Sequence, residues 1–141
     1  MPLPEPPLTG GCQCGACRYR ADGRPVALYI CHCTECQRQS ASAFGISLII
    51  RAQDFVLLAG APRVWERPTN SGGRLACAYC PDCGTRLHHR RSAGPEFLSL
   101  KGGTLDEPLD LSPAIHIWTA RALPGVIIPA ETESWPGEPP R

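Results

Sequence analysis

The chain has 141 residues, enough for one domain with a modest core. Its 14 basic and 13 acidic side chains leave a formal charge of +1, which gives no bulk attraction to nucleic acid or to an anionic membrane. No stretch approaches the ~20 apolar residues of a membrane-spanning helix. The opening Met1-Pro2-Leu3-Pro4-Glu5-Pro6-Pro7 lacks the basic and apolar regions of a secretory signal, so a reducing, cytoplasmic setting is expected.

Residues 1–8 form a proline-rich N-terminal arm, with Pro2, Pro4, Pro6 and Pro7. Residues 9–129 are then expected to be one domain. Residues 130–141, with Pro136, Pro139 and Pro140, form a second extended arm. Within the domain, short β-prone runs fall at 16–21, 26–31, 43–50, 55–59, 63–67, 73–79, 86–89, 96–100 and 115–118. Turn signals separate them: Asp22-Gly23, Gly60-Ala61-Pro62, Asn70-Ser71-Gly72-Gly73, Ala93-Gly94-Pro95 and Gly102-Gly103. A single short helix is expected at 34–39, and no longer segment keeps a 3.6-residue period. The fold class is mainly β.

The nine cysteines are an odd number, which suits a disulfide framework poorly and metal binding well. Eight of them stand in three short clusters: Cys12-Gln13-Cys14, Cys31-His32-Cys33-Thr34-Glu35-Cys36 and Cys77-Ala78-Tyr79-Cys80-Pro81-Asp82-Cys83-Gly84. Zinc takes four tetrahedral ligands, and two cysteines two residues apart in a tight turn reach one ion together. Cys80 and Cys83 make such a knuckle, with Gly84 tolerating the left-handed conformation that follows it. Half a site needs a partner pair, and Cys12 and Cys14 are the natural candidates. The resulting four-cysteine site is closed and structural. Cys31, Cys33 and Cys36 form a second group of three, the ligand number of catalytic zinc. His32, Glu35 or His116 could instead complete that group and make it structural. Cys17 and Cys77 are read as small buried hydrophobes, with Cys77 an alternative to Cys12 or Cys14 at the first ion. Two zinc ions per chain are expected.

Several of these residues recur in a known order. Gly11-Cys12-x-Cys14-Gly15-x-x-Arg18-Tyr19, Cys31-His32-Cys33-x-x-Cys36-Gln37-Arg38, Tyr79-Cys80-x-x-Cys83-Gly84-Thr85, Gly103-Thr104-Leu105-Asp106 with Pro108, and His116-Ile117-Trp118 together resemble the glutathione-dependent formaldehyde-activating enzyme family, which includes centromere protein V. The resemblance implies several small antiparallel sheets around a four-cysteine zinc held by Cys12, Cys14, Cys80 and Cys83. It also implies a catalytic-type zinc on Cys31, Cys33 and Cys36. The implied activity is that of a carbon–sulfur lyase, joining glutathione and formaldehyde as S-(hydroxymethyl)glutathione. Two positions depart from the family pattern: Ala41 stands where glycine is frequent, and Pro124-Gly125 where a Pro-Trp pair is frequent.

The chemistry expected is deprotonation of a small thiol at the three-cysteine zinc, followed by attack of the thiolate on an aldehyde held beside it. Arg38, Arg51 and Arg63 are candidate clamps for substrate carboxylates, or else solvated surface charges. Ser42 and Ser47 suit turn or strand roles better than substrate contacts. Trp65 and Trp118 read as core residues. His88 and His89 should face opposite ways on one strand. His116 is the histidine to test as a proton carrier. The competing reading is a non-catalytic interaction module in which both zincs are structural. Nucleic-acid binding would need a basic, aromatic face that this chain does not offer.

Overall fold

The computed structural model describes residues 2–69 and 72–140. Of the turn expected at 70–73, Asn70 and Ser71 lie outside the described residues. Ten strands and one α-helix follow in chain order: β1 (Leu8–Gly11), β2 (Arg18–Ala21), β3 (Ala27–Cys31), α1 (Thr34–Ser40), β4 (Gly45–Arg51), β5 (Phe55–Ala59), β6 (Arg63–Pro68), β7 (Arg74–Tyr79), β8 (Arg86–Arg91), β9 (Phe97–Lys101) and β10 (Ile115–Ile117). Short 3₁₀ turns occupy Ala52–Asp54, Gly102–Thr104 and Thr119–Arg121. The fold is mainly β, as composition and turn spacing require. No helix among the described residues is long and apolar enough to cross a membrane.

The strands form a three-stranded sheet in the order β1-β2-β5 and a seven-stranded sheet in the order β10-β3-β4-β9-β8-β7-β6. All pairings are antiparallel except β10 with β3, where Ile115–Ile117 lies parallel to Tyr29–Cys31. Period-two alternation decides which face of the large sheet is apolar. Leu28, Leu48, Leu100 and His88 are successive partners across four strands. The three leucines, with Ile30, Ile50 and Leu98, pack against Tyr19 and Ala21 of the small sheet. Phe55 stacks on Tyr19 with ring centroids 5.5 Å apart and meets His88 edge-on at 4.8 Å. The core therefore lies between the two sheets.

The other face carries Tyr29, Ser47, Lys101, Ser99, His89, Cys77 and Trp65, again by pairing register. Helix α1 packs on this second face: Gln39 Nε2 donates to Cys77 Sγ at 3.6 Å, and Cys36 meets the open backbone of Gly45. Trp65 is 53% exposed, so the expectation of a core tryptophan is corrected: β6 is an edge strand, and the ring lies at the margin of the sheet with the Arg86 guanidinium 5.9 Å from its centre. Strand β1 forms where the sequence pattern predicts none, and the run expected from residue 16 begins as β2 at Arg18. Ala16 and Cys17 are held instead in the turn of the first cysteine cluster, where Cys12 N donates to Cys17 O at 3.0 Å.

Four of the recurring motif residues, Arg18, Tyr19, Thr104 and Asp106, act with Thr9 as fasteners. Arg18 forks onto Asp106 at 2.9 and 2.5 Å, Thr9 Oγ1 donates to the same carboxylate at 2.7 Å, and Tyr19 Oη pairs with Thr104 Oγ1 at 2.8 Å. Arg18 holds the Asp106 carboxyl down to about 2. At the other end, residues 133–137 lie against β10: His116 N donates to Glu133 O at 3.0 Å, Trp135 N to His116 O at 2.9 Å, and Trp118 N to Gly137 O at 3.2 Å.

Candidate metal centres

The backbone around Cys12 and Cys80 closes two turns that face each other. Gly15 N donates to Cys12 O at 3.2 Å and Gly84 N to Cys80 O at 2.8 Å, with both glycines at positive φ, 83° and 81°. Thr85 joins the two turns. Its hydroxyl accepts from Gln13 N at 3.1 Å and donates to Cys83 Sγ at 3.2 Å. That hydrogen bond, and a second from the Thr85 amide, hold the Cys83 thiol down to about 5. A further backbone N–H, from Cys17, points at Cys12 Sγ from 3.1 Å and lowers that thiol as well.

The outcome is a four-sulfur group. The Sγ atoms of Cys12, Cys14, Cys80 and Cys83 lie within 4.8 Å of one another, Cys12 and Cys14 at 3.6 Å and Cys14 and Cys80 at 3.7 Å. Sulfurs bound tetrahedrally at about 2.3 Å are separated by about 3.8 Å, a spacing that the Cys12–Cys14 and Cys14–Cys80 pairs match, so the group suits a zinc ion. All four are free thiols rather than disulfides. Cys17 packs behind this group with Leu87, and burial pushes its thiol up to about 11.

The second group is built by the start of α1. Cys31 ends β3, Cys33 is the helix N-cap and Cys36 lies in the first turn, so all three sulfurs come within 4.8 Å. Cys36 N donates to Cys33 Sγ at 3.3 Å, a thiol in the role usually filled by a serine or aspartate oxygen. The other two thiols donate onto Cys33 and hold it down to about 2, while the same contacts and burial push Cys31 up. A group that concentrates one negative charge on three sulfurs is suited to a cation. Cys33 is half-buried, whereas Cys31 and Cys36 are buried.

Among the described residues no histidine or carboxylate joins these three sulfurs. His32 turns to the other side of the strand, where it is fully buried, stacks on His116 and approaches Phe44 edge-on. Glu35 reaches Arg67 instead, with Oε2 3.9 Å from Nε. His116, 6% exposed, meets His32 and not the sulfurs. Burial lowers both histidines, which are therefore neutral near pH 7. Gln37 locks the helix by donating to His32 O at 2.8 Å and Arg121 O at 2.9 Å.

Gly45 sets how closely α1 approaches the sheet. A Cβ there would lie 3.2 Å from Cys36 Cβ, 3.4 Å from Cys36 Sγ and 3.8 Å from Lys101 Nζ. Of the arginines singled out by sequence, Arg38 lines a cleft of ≈ 360 Å³ beside α1. Arg51 lies over Phe97 and lines a larger hollow, ≈ 540 Å³, at the end of β4 remote from Gly45. Arg63 is exposed on the edge strand. Two residues that sequence reasoning passed over, Arg67 and Arg86, are the ones with buried nitrogens on the α1 side of the sheet. Ser42 closes the turn after α1 by donating to Phe44 O at 3.1 Å, and Ser47 lies in β4 between Tyr29 and Lys101.

Residues 7–121 match the model of the glutathione-dependent formaldehyde-activating enzyme family. The chain belongs to that family. Among solved structures it is similar to a Rhodobacter sphaeroides protein at 23% identity and a TM-score of 0.56, over 70% of this chain and 87% of that one. That likeness concerns the fold.

Proposed function

We propose that this member of the glutathione-dependent formaldehyde-activating enzyme family is a zinc-dependent carbon–sulfur lyase that joins, or in reverse separates, a small thiol and an aldehyde. Glutathione and formaldehyde are the first substrates to test. In this reading Cys12, Cys14, Cys80 and Cys83 hold a zinc that maintains the fold, and Cys31, Cys33 and Cys36 hold the zinc used in chemistry. The observation that carries it is the inequality of the two groups: four sulfurs that complete a tetrahedron in one, three in the other with no fourth side chain among the described residues.

When bound, zinc supplies the acidity that removes a thiol proton at neutral pH. The reaction forms one bond, from substrate sulfur to carbonyl carbon, and the aldehyde oxygen takes up a proton; the reverse breaks that bond and returns the proton. The chain contributes position and access. Half-exposed Cys33 leaves the group open to a small molecule, and Gly45 keeps the floor beside Cys36 free of a side chain. Bringing two small reactants together in this way can itself supply several kcal/mol of the barrier, ~7 or more in well-oriented model systems. His116, held behind His32, is placed to fix the loop bearing the ligands rather than to touch substrate. Nine free thiols are consistent with a reducing cytoplasm.

The test is two-dimensional exchange NMR of glutathione with formaldehyde, with and without zinc-loaded protein. Faster exchange that disappears in Cys33→Ser is expected. Unchanged exchange, with two zincs present, would favour the non-catalytic interaction module.

A further inference from the structure

Strand β10 has three residues and is the last of its sheet, a position that leaves one row of backbone groups without a strand partner. The chain returns to cover it. His116 N donates to Glu133 O at 3.0 Å and His116 O accepts from Trp135 N at 2.9 Å, with Ser134 the parallel bridge partner between them. The sequence suits the segment to this place. Pro136, Pro139 and Pro140 have no N–H, so the segment supplies mainly carbonyls and offers no fresh edge of its own. Residues 133–138 lie beyond the span shared with the family.

The same segment caps the turn after β10. A 3₁₀ helix begins with N–H groups that have no partner inside it, and Thr119–Arg121 has no side-chain cap. These donors turn to the returning chain: Trp118 N to Gly137 O at 3.2 Å, Thr119 N to Trp135 O at 3.1 Å and Ala120 N to Pro136 O at 3.3 Å. Thr119 Oγ1 adds a second bond to Trp135 O at 3.2 Å. Trp118 itself stands at φ 57° and ψ 38°, a left-handed conformation unfavourable to any residue with a Cβ. Its indole Nε1 donates to Glu138 Oε1 at 2.8 Å, so the segment holds both its backbone and its ring.

What this turn holds in place is the cysteine-bearing helix. Arg121 O, its last carbonyl, accepts from Gln37 Nε2 at 2.9 Å, and the same amide donates to His32 O at 2.8 Å. His32 N in turn donates to Ile117 O at 3.0 Å. Cys33 and Cys36 move with α1, whereas Cys31 belongs to β3. The spacing of the three sulfurs therefore depends on where the turn puts Gln37. Among the described residues no hydrogen bond joins 133–138 to the turns of the four-sulfur group.

Building on the zinc reading of Cys31, Cys33 and Cys36 above, we propose that residues 133–138 are a positioning segment for that group: they fix Thr119–Arg121 and, through Gln37, hold α1 where its two cysteines and Cys31 share one ion. Trp135 and Glu138 are the positioning residues, and both act through the turn.

The test uses the full chain, with Trp135→Pro deleting the N–H that bonds His116 O and Trp135→Phe keeping it. Zinc release to a chelator is followed in time, and the phase missing in Cys33→Ser belongs to the three-sulfur group. Trp135→Pro is expected to speed that phase roughly tenfold or more and to leave the four-sulfur phase unchanged. Trp135→Phe should release zinc like the parent chain. Hydrogen exchange of the metal-free proteins gives a second readout: amides of residues 32–40 should exchange faster in Trp135→Pro, and those of β7 and β8 should not. If Trp135→Pro loses its cooperative melting transition, Glu138→Ala carries the test, with faster release restored to the parent rate in Glu138→Gln. Equal acceleration of both zinc phases overturns the proposal, since the segment would then stabilise the whole domain. Two phases untouched by Trp135→Pro, with exchange at 32–40 unchanged, also overturn it and leave the lyase reading standing. A parent chain without a three-sulfur phase, whose exchange at 32–40 still responds to Trp135→Pro, does the opposite: the segment positions the three cysteines and the zinc reading falls.

Discussion

His32 Nε2 and His116 Nδ1 lie 2.9 Å apart, joining the segment that bears the cysteines of the three-sulfur group to the parallel strand beside it. One neutral ring donates and the other accepts, and His32 Nδ1 is left without a partner in a fully buried ring. Replacing His116 with glutamine should therefore cost about 1–2 kcal/mol of stability, read by urea unfolding. Thiol–aldehyde exchange should fall less than about tenfold with its pH profile unaltered. A hundredfold loss with a displaced profile would identify His116 as the proton carrier and not a positioning residue.

Ala41 closes α1 in the left-handed region, at φ 52° and ψ 41°. A Cβ makes that conformation unfavourable by about 1 kcal/mol, and glycine has none. Ala41→Gly should raise stability by about that amount, seen as a higher urea midpoint at unchanged slope. The same change should leave the zinc content alone.

Gly45→Ala makes the opposite kind of change. Its methyl would press on Cys36 at 3.2 and 3.4 Å, so α1 must withdraw by a few tenths of an ångström. Metal analysis should find the three-sulfur group depleted, with the four-sulfur group still filled. Equal loss from both would mean that the whole domain is destabilised.

The two groups should respond differently to ligand loss. Cys80→Ser removes a fully buried sulfur that ties the first turn to the second, and no folded protein is expected. Cys33→Ser should fold and carry one zinc per chain by atomic emission. Thr85→Val, which deletes the hydroxyl between Gln13 and Cys83, should loosen the first metal by roughly tenfold in a chelator competition.

Acid should destabilise the protein through a buried histidine as well as through the cysteine groups. Burial, reinforced by Arg90, pushes His88 down to about 4, while in the unfolded chain it titrates near 6.5. The unfolded state thus binds the extra proton first. The stability due to the neutral ring is complete above about pH 6.5 and is lost as pH falls to about 4. His88 alone accounts for about 3 kcal/mol across that window, an upper figure. Urea midpoints at pH 7.5, 6, 5 and 4 should decline less steeply in His88→Leu than in the parent chain. Parallel slopes would contradict the assignment.

The cysteine groups were legible because metal spacing is local chemistry: a knuckle is written in four consecutive residues. Alternation likewise placed most strands within two residues, and β5 at 55–59 needed no adjustment. What sequence hid depends on tertiary pairing. Leu8-Thr9-Gly10-Gly11 has no strand propensity of its own and is a strand because β2 pairs with it. Trp65 looked like core because tryptophan usually is, yet β6 is the sheet's last strand. Arg67 and Arg86 are 19 positions apart and indistinguishable in sequence from the chain's other arginines; only the register of β6, β7 and β8, with its irregularity before Tyr79, turns both toward α1.

The spacing of the two cysteine groups along the chain also orders their completion during synthesis. The three-sulfur group is whole once residue 36 has left the ribosome, since Cys31, Cys33 and Cys36 all lie within six positions. The four-sulfur group must wait for Cys83, and the Arg18 fork for Asp106. A nascent chain thus exposes Cys12 and Cys14 as an unpaired half-site while roughly seventy further residues are added, a period in which copper or an oxidant competes with zinc for them. On the two-zinc reading proposed above, the metal that would hold the domain together is thereby the one most dependent on the conditions under which the chain is made.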